Sequence, residues 1–378
     1  MSEQTCVNIN NATNVAHIDN VKNIAHAEQI TNIANVEHIG TNIENVLYDP
    51  ARYKGVNLAE KGYTWKSIKE KVNAGDLNDF QVGDYMPVRV KWSNVFNGDN
   101  PISAEYTIIM QIAGIDTHYG IGPGVEVDGQ YVHQATGHHI DWVSKDCFSG
   151  EKKLTIPAES IGLDITGFNV KYRNEASNNG DSTEPCPYLH SNYYHLFNNT
   201  DFPTWFENGT LVDLLSDKIV LLESRYSSGW SGGDGTMYFS TKPEWKNLGK
   251  FWLLTEYEVF GACLRGDDEA AGNAIQYPLF ANDPSAKIKR RRKDVFNTED
   301  IEAATWALAT CDADHRQLAN NESTNVNAAR LVLAVGGGGQ IGTVTVNTDT
   351  YFAFGFRIAE DNYGKLDSMP PVISSSYN

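Results

Sequence analysis

The stretch LVLAVGGGGQIGTVTV, residues 331–346, decides the fold class of this chain. Two apolar runs flank four consecutive glycines, a pattern typical of two antiparallel strands joined by a hairpin loop. Alternating or continuous apolar runs on both sides of this hairpin predict further strands at residues 88–92, 106–115, 251–255 and 351–358. The sequence therefore predicts an α+β fold, in which many short antiparallel strands combine with short helices.

Short helices are predicted between these strands. Thr64 is the candidate N-cap of a helix that runs to residue 72, with Ile68 and Val72 on one face and Gly75 at its end. Further helical segments are predicted at residues 211–222 and, as a turn or short helix, at residues 255–262. The 32 glycines and the Asn-, Thr- and Ser-rich stretches favour strands and loops elsewhere.

A triplet repeat dominates the N-terminal region. From residue 8 to residue 46, an Asn, His or Gln precedes an Ile, Val or Ala thirteen times at a spacing of three, with one residue inserted around Gly40. An α-helix has about 3.6 residues per turn and would spread this row around its surface, and the spacing is not that of a coiled coil. A polyproline-II-like chain with about three residues per turn, or a triangular β-solenoid, would align the row. The bulky members of the row before Gly40, which we take as the oligomerisation residues, are Ile9, Val15, Ile18, Val21, Ile24, Ile30, Ile33, Val36 and Ile39.

An exposed apolar row on a single extended segment needs partners to be stable. Identical copies around a symmetry axis would bury the Ile and Val side chains, while the Asn, His and Gln side chains satisfy backbone groups between chains. We expect a homotrimer first and a dimer second, and a disordered polar tail is the remaining alternative. Such tracts resemble the short shafts near the N-termini of phage fibre proteins, so residues 8–46 are predicted to form a trimeric stalk.

A second resemblance covers roughly residues 58–358. The segment FWLLTEYEVFG, residues 251–261, resembles the F-L-S-x-x-E-V-F-G signature of a phage and gut-bacterial domain family of unassigned function, whose head is similar to C-type-lectin-like folds. Downstream motifs are matched in order by QYPLF at residues 276–280, AKIK at 286–289, TWALAT at 305–310 and FGFRI at 354–358. Upstream matches are HHIDWVSKDC at residues 138–147 and Trp65, Ile68, Gly75, Phe80, Val82, Gly83 and Asp84. Ala309 and Cys311 stand where the family has Arg and Pro, so any contact made by that Arg is missing here.

These features predict four parts of the chain. They are residues 1–7 as a virion anchor, 8–46 as the stalk, 47–165 as the first part of the head and 166–378 as its C-terminal lectin-like domain. The resemblance implies a structural protein on the surface of a phage particle, with adhesion to host-surface glycans or proteins as its expected role. The very short anchor and stalk favour a capsid head fibre over a tail fibre, and the N-terminus would bind capsid or tail proteins.

The charge and the cysteine content limit which other partners and compartments are expected. The formal net charge of −18 repels phosphate backbones and anionic membranes, so neither nucleic acid nor a membrane is expected as a partner. Five cysteines without a CxxC pair indicate folding in a reducing compartment, and neither a signal peptide nor a transmembrane run is visible. We therefore expect synthesis in the host cytoplasm and a final location on the virion surface.

Aromatic side chains supply the candidate ligand-binding residues. Tyr193, Tyr194 and His195 lie in one cluster, and Trp230 and Trp306 follow downstream. Aromatic faces pack against sugar rings and at protein interfaces, which favours a role in glycan or protein binding. The alternative is that these rings pack in the core of the head.

Histidines around residue 139 raise the question of a metal site. His138 and His139 lie beside His133 and Asp141, and a metal site would need three or four of them in tetrahedral geometry. The alternative is a turn entering a strand, in which the imidazoles are satisfied by hydrogen bonds. We predict this structural role, with no metal and no cofactor.

The sequence predicts no catalytic residues. No pair among the many carboxylates stands out as the pair of a glycosidase. We therefore predict that the protein is not an enzyme. Two alternatives stay open: a polysaccharide-degrading tailspike-type enzyme, which requires a carboxylate pair in a groove, and a bacterial surface adhesin.

Overall fold

The computed structural model describes the chain between residues 55 and 361, with gaps, and also residues 372–373. The described ranges are residues 55–91, 95–97, 100–102, 105–119, 124–127, 130–133, 137–148, 153–155, 164–166, 170–171, 187–230, 237–262, 275–292, 301–311, 331–345, 348–361 and 372–373. Contacts place Tyr53–Asn378 in one unit, separate from Met1–Arg52. The predicted anchor and stalk, residues 1–7 and 8–46, lie outside the described residues.

Helix α1, Trp65–Asn73, begins with a reciprocal cap. The Ser67 N–H donates to the Thr64 hydroxyl, and the Thr64 N–H donates to the Ser67 hydroxyl. Two donors that a helix start leaves without partners are thereby satisfied. Ile68 and Val72 are fully buried, which confirms the predicted helix and its apolar face.

The other helices are short. In the described ranges, the remaining α-helices are α2 (Asn192–Asn198), α3 (Glu256–Phe260) and α4 (Pro278–Asn282), and 3-10 helices span Pro187–His190, Phe202–Trp205, Glu207–Gly209, Val212–Leu214 and Pro284–Lys287. Helix α3 confirms the turn or short helix predicted at residues 255–262. None of the described helices has both the length and the apolar character that a membrane crossing requires.

Strands account for most of the regular structure. They are β1 (Tyr85–Lys91), β2 (Val95–Asn97), β3 (Asn100–Ile102), β4 (Glu105–Ile115), β5 (Gly124–Val127), β6 (Gln130–His133), β7 (His139–Ser144), β8 (Lys153–Thr155), β9 (Asp164–Thr166), β10 (Val170–Lys171), β11 (Ile219–Trp230), β12 (Met237–Asn247), β13 (Phe251–Leu253), β14 (Arg290–Arg292), β15 (Ile301–Ala303), β16 (Trp306–Cys311), β17 (Leu331–Val335), β18 (Ile341–Thr345), β19 (Asp349–Phe352), β20 (Phe354–Ala359) and β21 (Val372–Ile373). The prediction of a β-rich fold with short helices is confirmed.

A five-stranded sheet forms the centre of the head. Its strand order is β1-β4-β7-β20-β13, and every pair of neighbours is antiparallel. Strands β1 and β4 confirm the strands predicted at residues 88–92 and 106–115. Strands β1, β4 and β7 precede residue 166 and strands β13 and β20 follow it, so both predicted parts of the head contribute to this sheet.

A second five-stranded sheet contains the hairpin that the glycine-rich stretch predicts. Its order is β10-β19-β16-β17-β18; β16 and β19 are parallel and the other pairs are antiparallel. Val335 pairs with Ile341 across the loop, and the Gly336 N–H donates to the Gln340 carbonyl at 2.7 Å. The hairpin is therefore confirmed. Smaller sheets are β3-β2-β8-β9, β21-β6-β5, β11-β12 and β14-β15.

The prediction of a single strand at residues 351–358 is wrong, because two separate strands occupy these residues. The chain leaves the second sheet with β19 and enters the central sheet with β20, and only Ala353 separates the two strands. The Phe148 N–H donates to the Phe352 carbonyl at 2.9 Å, whereas the Phe354 N–H donates to the Ser144 hydroxyl at 3.2 Å. Because both strands are buried, their residues form one uninterrupted apolar run, and the sequence gives no sign that the pairing partner changes at Ala353.

The helix predicted at residues 211–222 is also wrong. A 3-10 turn at Val212–Leu214 is followed by an extended segment that leads into β11. The Ser216 N–H donates to the Arg357 carbonyl at 2.9 Å, and the Lys218 N–H donates to the Gly249 carbonyl at 3.0 Å. These long-range hydrogen bonds replace helical ones, and the apolar run that follows contains β-branched residues that suit a strand.

Phenylalanine rings fill the core beside the central sheet. Phe202 is fully buried, and its ring centroid lies 5.0 Å from Phe206, 5.6 Å from Phe251 and 5.6 Å from Phe354. These separations are those of favourable aromatic pairs. The ring of Phe202 therefore joins a 3-10 helix to the two neighbouring strands β13 and β20.

Truncation of Phe202 tests this packing. We expect Phe202→Ala to lower the free energy of unfolding by about 3–5 kcal/mol, because it removes the ring and leaves a cavity. Urea denaturation followed by tryptophan fluorescence measures the effect. Val56→Ala is the control: Val56 is 41% exposed, so a change within about 0.5 kcal/mol is expected. Equal effects of the two substitutions would contradict the assignment of Phe202 to the core.

Candidate functional site

Asp141 and Arg357 form a buried ion pair between the middle strands of the central sheet. The two residues are paired directly across β7 and β20. The Arg357 guanidinium donates from Nε to Oδ1 and from Nη2 to Oδ2 of Asp141, both at 2.6 Å. Burial alone would raise the pKa of Asp141, but the charge and hydrogen bonds of Arg357 outweigh it and hold this pKa well below its usual value. The carboxylate is therefore ionised.

A second buried ion pair adjoins the first. The Lys218 ammonium pairs with the Glu258 carboxylate and donates to the Tyr277 hydroxyl at 2.8 Å, and Tyr277 donates in turn to Asp141 Oδ2 at 2.9 Å. The ammonium also lies 4.6 Å from the ring centroid of Trp252. Burial lowers the pKa of Lys218, opposed by the charges of Glu258 and Asp141. Burial and the same carboxylates raise the pKa of Tyr277 well above its usual value, so its hydroxyl keeps its proton.

His139 is neutral, and its hydrogen bonds identify its tautomer. Nε2 accepts the backbone N–H of His118 at 3.1 Å, so Nδ1 carries the proton and donates to the Gly137 carbonyl at 2.8 Å. Burial lowers the pKa of His139 well below its usual value, and the positive charge of Arg357 lowers it further. The imidazole thus takes part as an uncharged hydrogen-bonding group.

His118 completes the cluster as a second neutral imidazole. His118 Nδ1 lies 3.0 Å from Arg357 Nη2, which only donates, and 3.3 Å from Asp141 Oδ2, which only accepts. The shorter contact favours Nδ1 as the acceptor, with the proton on Nε2. Nε2 faces Glu258 Oε1 at 3.7 Å. Burial lowers the pKa of His118 although Asp141 lies near it. We call these seven residues the charge network: His118, His139, Asp141, Lys218, Glu258, Tyr277 and Arg357.

The charge network contains a possible set of metal ligands. Ligand atoms of His118, His139 and Asp141 lie within 4.8 Å of one another. However, Asp141 accepts two hydrogen bonds from Arg357, and the acceptor nitrogen of each imidazole faces an N–H donor. A cation would have to displace Arg357 and to enter beside the second cation, Lys218. The geometry therefore favours a structural network of two cations and two anions over a metal centre.

The charge network draws on segments that are distant in sequence. Glu258, Tyr277, Asp141 and Arg357 come from four of the segments that carry the family resemblance, at residues 251–261, 276–280, 138–147 and 354–358. Asp141 was considered in the sequence only as a candidate metal ligand, Glu258, Tyr277 and Arg357 had no predicted role beyond the motifs, and His118 and Lys218 were not predicted at all. A lone basic residue directly before the apolar run at 219–222 was the available signal for Lys218, while no pattern marks His118.

The remaining motifs meet at another buried basic side chain, that of Lys289. The Lys289 ammonium donates to the Ser144 carbonyl and lies 5.4 Å from the ring centroid of Trp306 and 5.9 Å from that of Phe280. The Trp306 indole donates to the Lys287 carbonyl at 3.0 Å. Burial lowers the pKa of Lys289 to about 7. The motifs at 276–280, 286–289 and 305–310 thus pack against one another.

The predicted ligand-binding residues occupy different environments. Tyr193 is fully buried and donates to the Thr350 carbonyl at 2.9 Å, and Trp306 is fully buried as well, so neither presents surface to a ligand in this conformation. Tyr194 and His195 are half-buried on α2. Residue 230 ends β11, and its side chain lies outside the described part of the chain. The structure does not bring the five residues together in one surface, and their role in binding stays a prediction.

The two neighbouring histidines have different environments. His139 and Asp141 alternate on one face of β7 and belong to the charge network, whereas His138 directly precedes β7, is 38% exposed and lies 2.7 Å from the Asp116 carboxylate. The side chain of residue 133 lies outside the described part of the chain. The imidazoles of His138 and His139 are hydrogen-bonded at the start of a strand, as the structural alternative expects, while the predicted turn before residue 137 lies outside the described residues.

Comparison of the chain with protein-family models, with curated proteins and with solved structures gave no match.

Removal of the guanidinium tests the importance of the central ion pair. We expect Arg357→Met to lower the free energy of unfolding by about 3–5 kcal/mol, because it leaves the Asp141 carboxylate buried without a cation. The double variant Asp141→Asn/Arg357→Met should lose less than the sum of the two single variants, since it removes both charges. Urea denaturation at pH 7 measures all three variants. Arg89→Met is the control, because Arg89 lies on the edge strand β1 and the side chains of Arg89 and its partner Glu105 are 56% and 50% exposed.

The two neutral imidazoles predict a loss of stability in acid. Both histidines have folded-state pKa values below the usual 6.5, so below about pH 6.5 the unfolded chain binds protons that the folded chain does not. The free energy of unfolding should fall as the pH decreases from 6.5 to 5, by up to about 1.4 kcal/mol per pH unit for each histidine. Denaturation curves across this range measure the slope. His118→Gln should make it shallower, and an unchanged slope would contradict the assignment of a buried neutral imidazole.

Proposed function

We propose that the chain is a fibre protein displayed on the surface of a phage particle, with residues 8–46 as a self-associating stalk and the following residues as its head. The observation that carries this proposal is the triplet repeat of thirteen units at the N-terminus. A repeat this regular places one aliphatic side chain in every turn of an extended three-residue helix. A row of that kind gains stability when identical rows are brought together.

Three copies around one axis satisfy the chemistry of the repeat. The Ile and Val side chains would meet at the axis, where their burial contributes roughly 25 cal/mol per Å² of apolar surface. The preceding Asn, His and Gln side chains carry both donors and acceptors, which would bond the backbone groups of the neighbouring chains. A closed symmetric trimer also limits assembly to a defined particle component.

The head supports a role in display more than a role in catalysis. Its most unusual polar groups, those of the charge network, are buried and bonded to one another. Acid–base or nucleophilic chemistry requires such groups to reach a substrate, whereas a rigid display domain requires them to fix one arrangement of the chain. The formal charge of −18 suits a particle component that is made beside packaged DNA and does not bind it.

The proposed location follows from the same features. A short anchor at residues 1–7 would bind capsid proteins, with tail proteins as the alternative partners, and the head would face outward to adhere to host-surface glycans or proteins. Synthesis in the host cytoplasm agrees with cysteines that form no CxxC pair. The resemblance to a phage and gut-bacterial domain family supports this assignment.

Solution mass tests the stalk. Light scattering of the full chain is expected to give three times the monomer mass of 41.9 kDa. The triple variant Ile18→Asn/Ile24→Asn/Ile30→Asn should fall to the monomer mass, because it places amides in the apolar row. The matched control Ala16→Asn/Ala25→Asn/Ala34→Asn introduces the same side chain at the third position of the repeat and should remain trimeric.

Each outcome decides one part of the proposal. A monomeric full chain would overturn the self-associating stalk and with it the fibre. A dimer would overturn the trimer while retaining self-association. Equal dissociation of the two triple variants would show that the aliphatic row is not the contact surface.

A further inference from the structure

An exposed aromatic ring lies beside a histidine and a carboxylate at the end of β4. Tyr119 is 48% exposed, and its ring centroid lies 5.2 Å from that of His138, with an angle of 32° between the rings. His138 Nδ1 donates to Asp116 Oδ2 at 2.7 Å, and the side chains of His138 and Asp116 are 38% and 29% exposed. We call Tyr119, His138 and Asp116 the aromatic platform.

The backbone holds the aromatic platform in a fixed position. Asp116 has a φ of 51°, in the left-handed region that non-glycine residues rarely adopt. This conformation persists because the Asp116 N–H donates to the His139 carbonyl at 2.9 Å, while Asp116 Oδ1 accepts the His139 N–H at 2.8 Å. The Tyr119 N–H closes the turn by donating to the Asp116 carbonyl at 3.0 Å. Strained residues held in this way are concentrated at binding and catalytic sites.

A polar cleft is connected to the aromatic platform through the backbone of Glu360. The Glu360 N–H donates to the His138 carbonyl at 2.9 Å, and Glu360 is one wall of a cleft of about 410 Å³. That volume is within the range of about 300–1,000 Å³ that small-ligand sites occupy. Carboxylates, a hydroxyl and an amide line the cleft, from Asp213, Ser216, Asp217, Asn247 and Asp361.

The chemistry of this surface is that of saccharide recognition. An exposed aromatic face packs against the C–H face of a pyranose ring, and carboxylate and amide oxygens accept hydrogen bonds from its hydroxyl groups. The one lysine of the cleft, Lys69, is paired with Asp361 at 2.9 Å, so the acidic groups outnumber the basic ones. Such a site repels sialic and uronic acids, because their carboxylates carry the same charge as the cleft.

We infer that the head binds a neutral saccharide, with its ring on Tyr119 and its hydroxyl groups toward the cleft at Glu360. This inference names the ligand class of the proposed display head and rests on that proposal. It assigns binding to Asp116, Tyr119, His138 and Glu360, a set different from the aromatic residues predicted from the sequence.

Binding of the full chain to an array of immobilised glycans tests the inference. The array holds neutral glycans built of hexoses and N-acetylhexosamines, and acidic glycans that carry sialic or uronic acids. We expect binding to members of the neutral set and none to the acidic set. Tyr119→Ala should weaken binding about tenfold, as loss of an aromatic side chain at the centre of a binding site does, while Tyr119→Phe should keep most of it.

Controls distinguish an effect on the aromatic platform from a general loss of folded structure. Ile288→Ala truncates an apolar side chain of similar exposure, 37%, and should bind as the unmodified chain does. Every variant is compared at equal solution mass, since several heads on one stalk raise apparent affinity. Denaturation in urea should give the same midpoint for Tyr119→Ala and the unmodified chain, because Tyr119 lies at the surface.

Three results would overturn the inference: no binding to any neutral glycan, a preference for the acidic set, or an affinity for neutral glycans that Tyr119→Ala leaves unchanged. These results are independent of the stalk. If the chain is a trimer that binds no neutral glycan, the fibre proposal is retained and the saccharide site is rejected. If the chain is a monomer that binds neutral glycans through Tyr119, the saccharide site is retained and the fibre proposal is rejected.

Discussion

The Asp141–Arg357 ion pair is the interaction on which the rest of the head depends. It joins β7 to β20 at the middle of the central sheet, and the backbone carbonyl of Arg357 also accepts the Ser216 N–H at the start of the segment that leads to β11. Through Tyr277 and Lys218 the pair reaches Glu258, whose second carboxylate oxygen accepts the N–H of the N-cap residue of α3 at 2.9 Å. Buried ion pairs add little net stability over apolar packing, but they penalise every arrangement that separates the charges. A slip of one residue between β7 and β20 would place Asp141 on the opposite face, so the pair fixes the register of the sheet.

Local patterns in the sequence predicted the elements whose structure is local. The hairpin at residues 331–345 and the cap at Thr64 depend on neighbours within a few residues, and both are found where the sequence placed them. The wrong predictions share one cause: hydrogen bonds and ion pairs with residues far along the chain determine the local structure there. Asp141 and Arg357 are 216 residues apart, and the segment after Val212–Leu214 is extended because of contacts with residues 249 and 357. Periodicity does not record such contacts, and a single sequence offers no other measure of them.

The motifs that carry the family resemblance are explained by folding. Thr255 and Glu258 form the capping box of α3, Gly261 ends the helix with a φ of 73°, and the Gln276 amide donates to the Val259 carbonyl at 2.9 Å. A side chain at Gly261 would also collide with the amide of Gln276. These positions specify the fold, and for that reason they gave no guide to a ligand. Tyr119 and Asp116, which the saccharide inference uses, belong to none of the motifs.

The position of β20 has a consequence for the biosynthesis of the protein. This strand is the last to enter the central sheet along the chain, yet it lies between β7 and β13 and not at an edge. Until residues 354–359 leave the ribosome, β7 and β13 have no strand between them and Asp141 has no cation. The nascent head therefore cannot close segment by segment, and its central sheet is completed only after residues 354–359 have been translated. Residues 8–46, in contrast, emerge before the head, so nascent chains on neighbouring ribosomes would expose their repeats to one another before any head has folded.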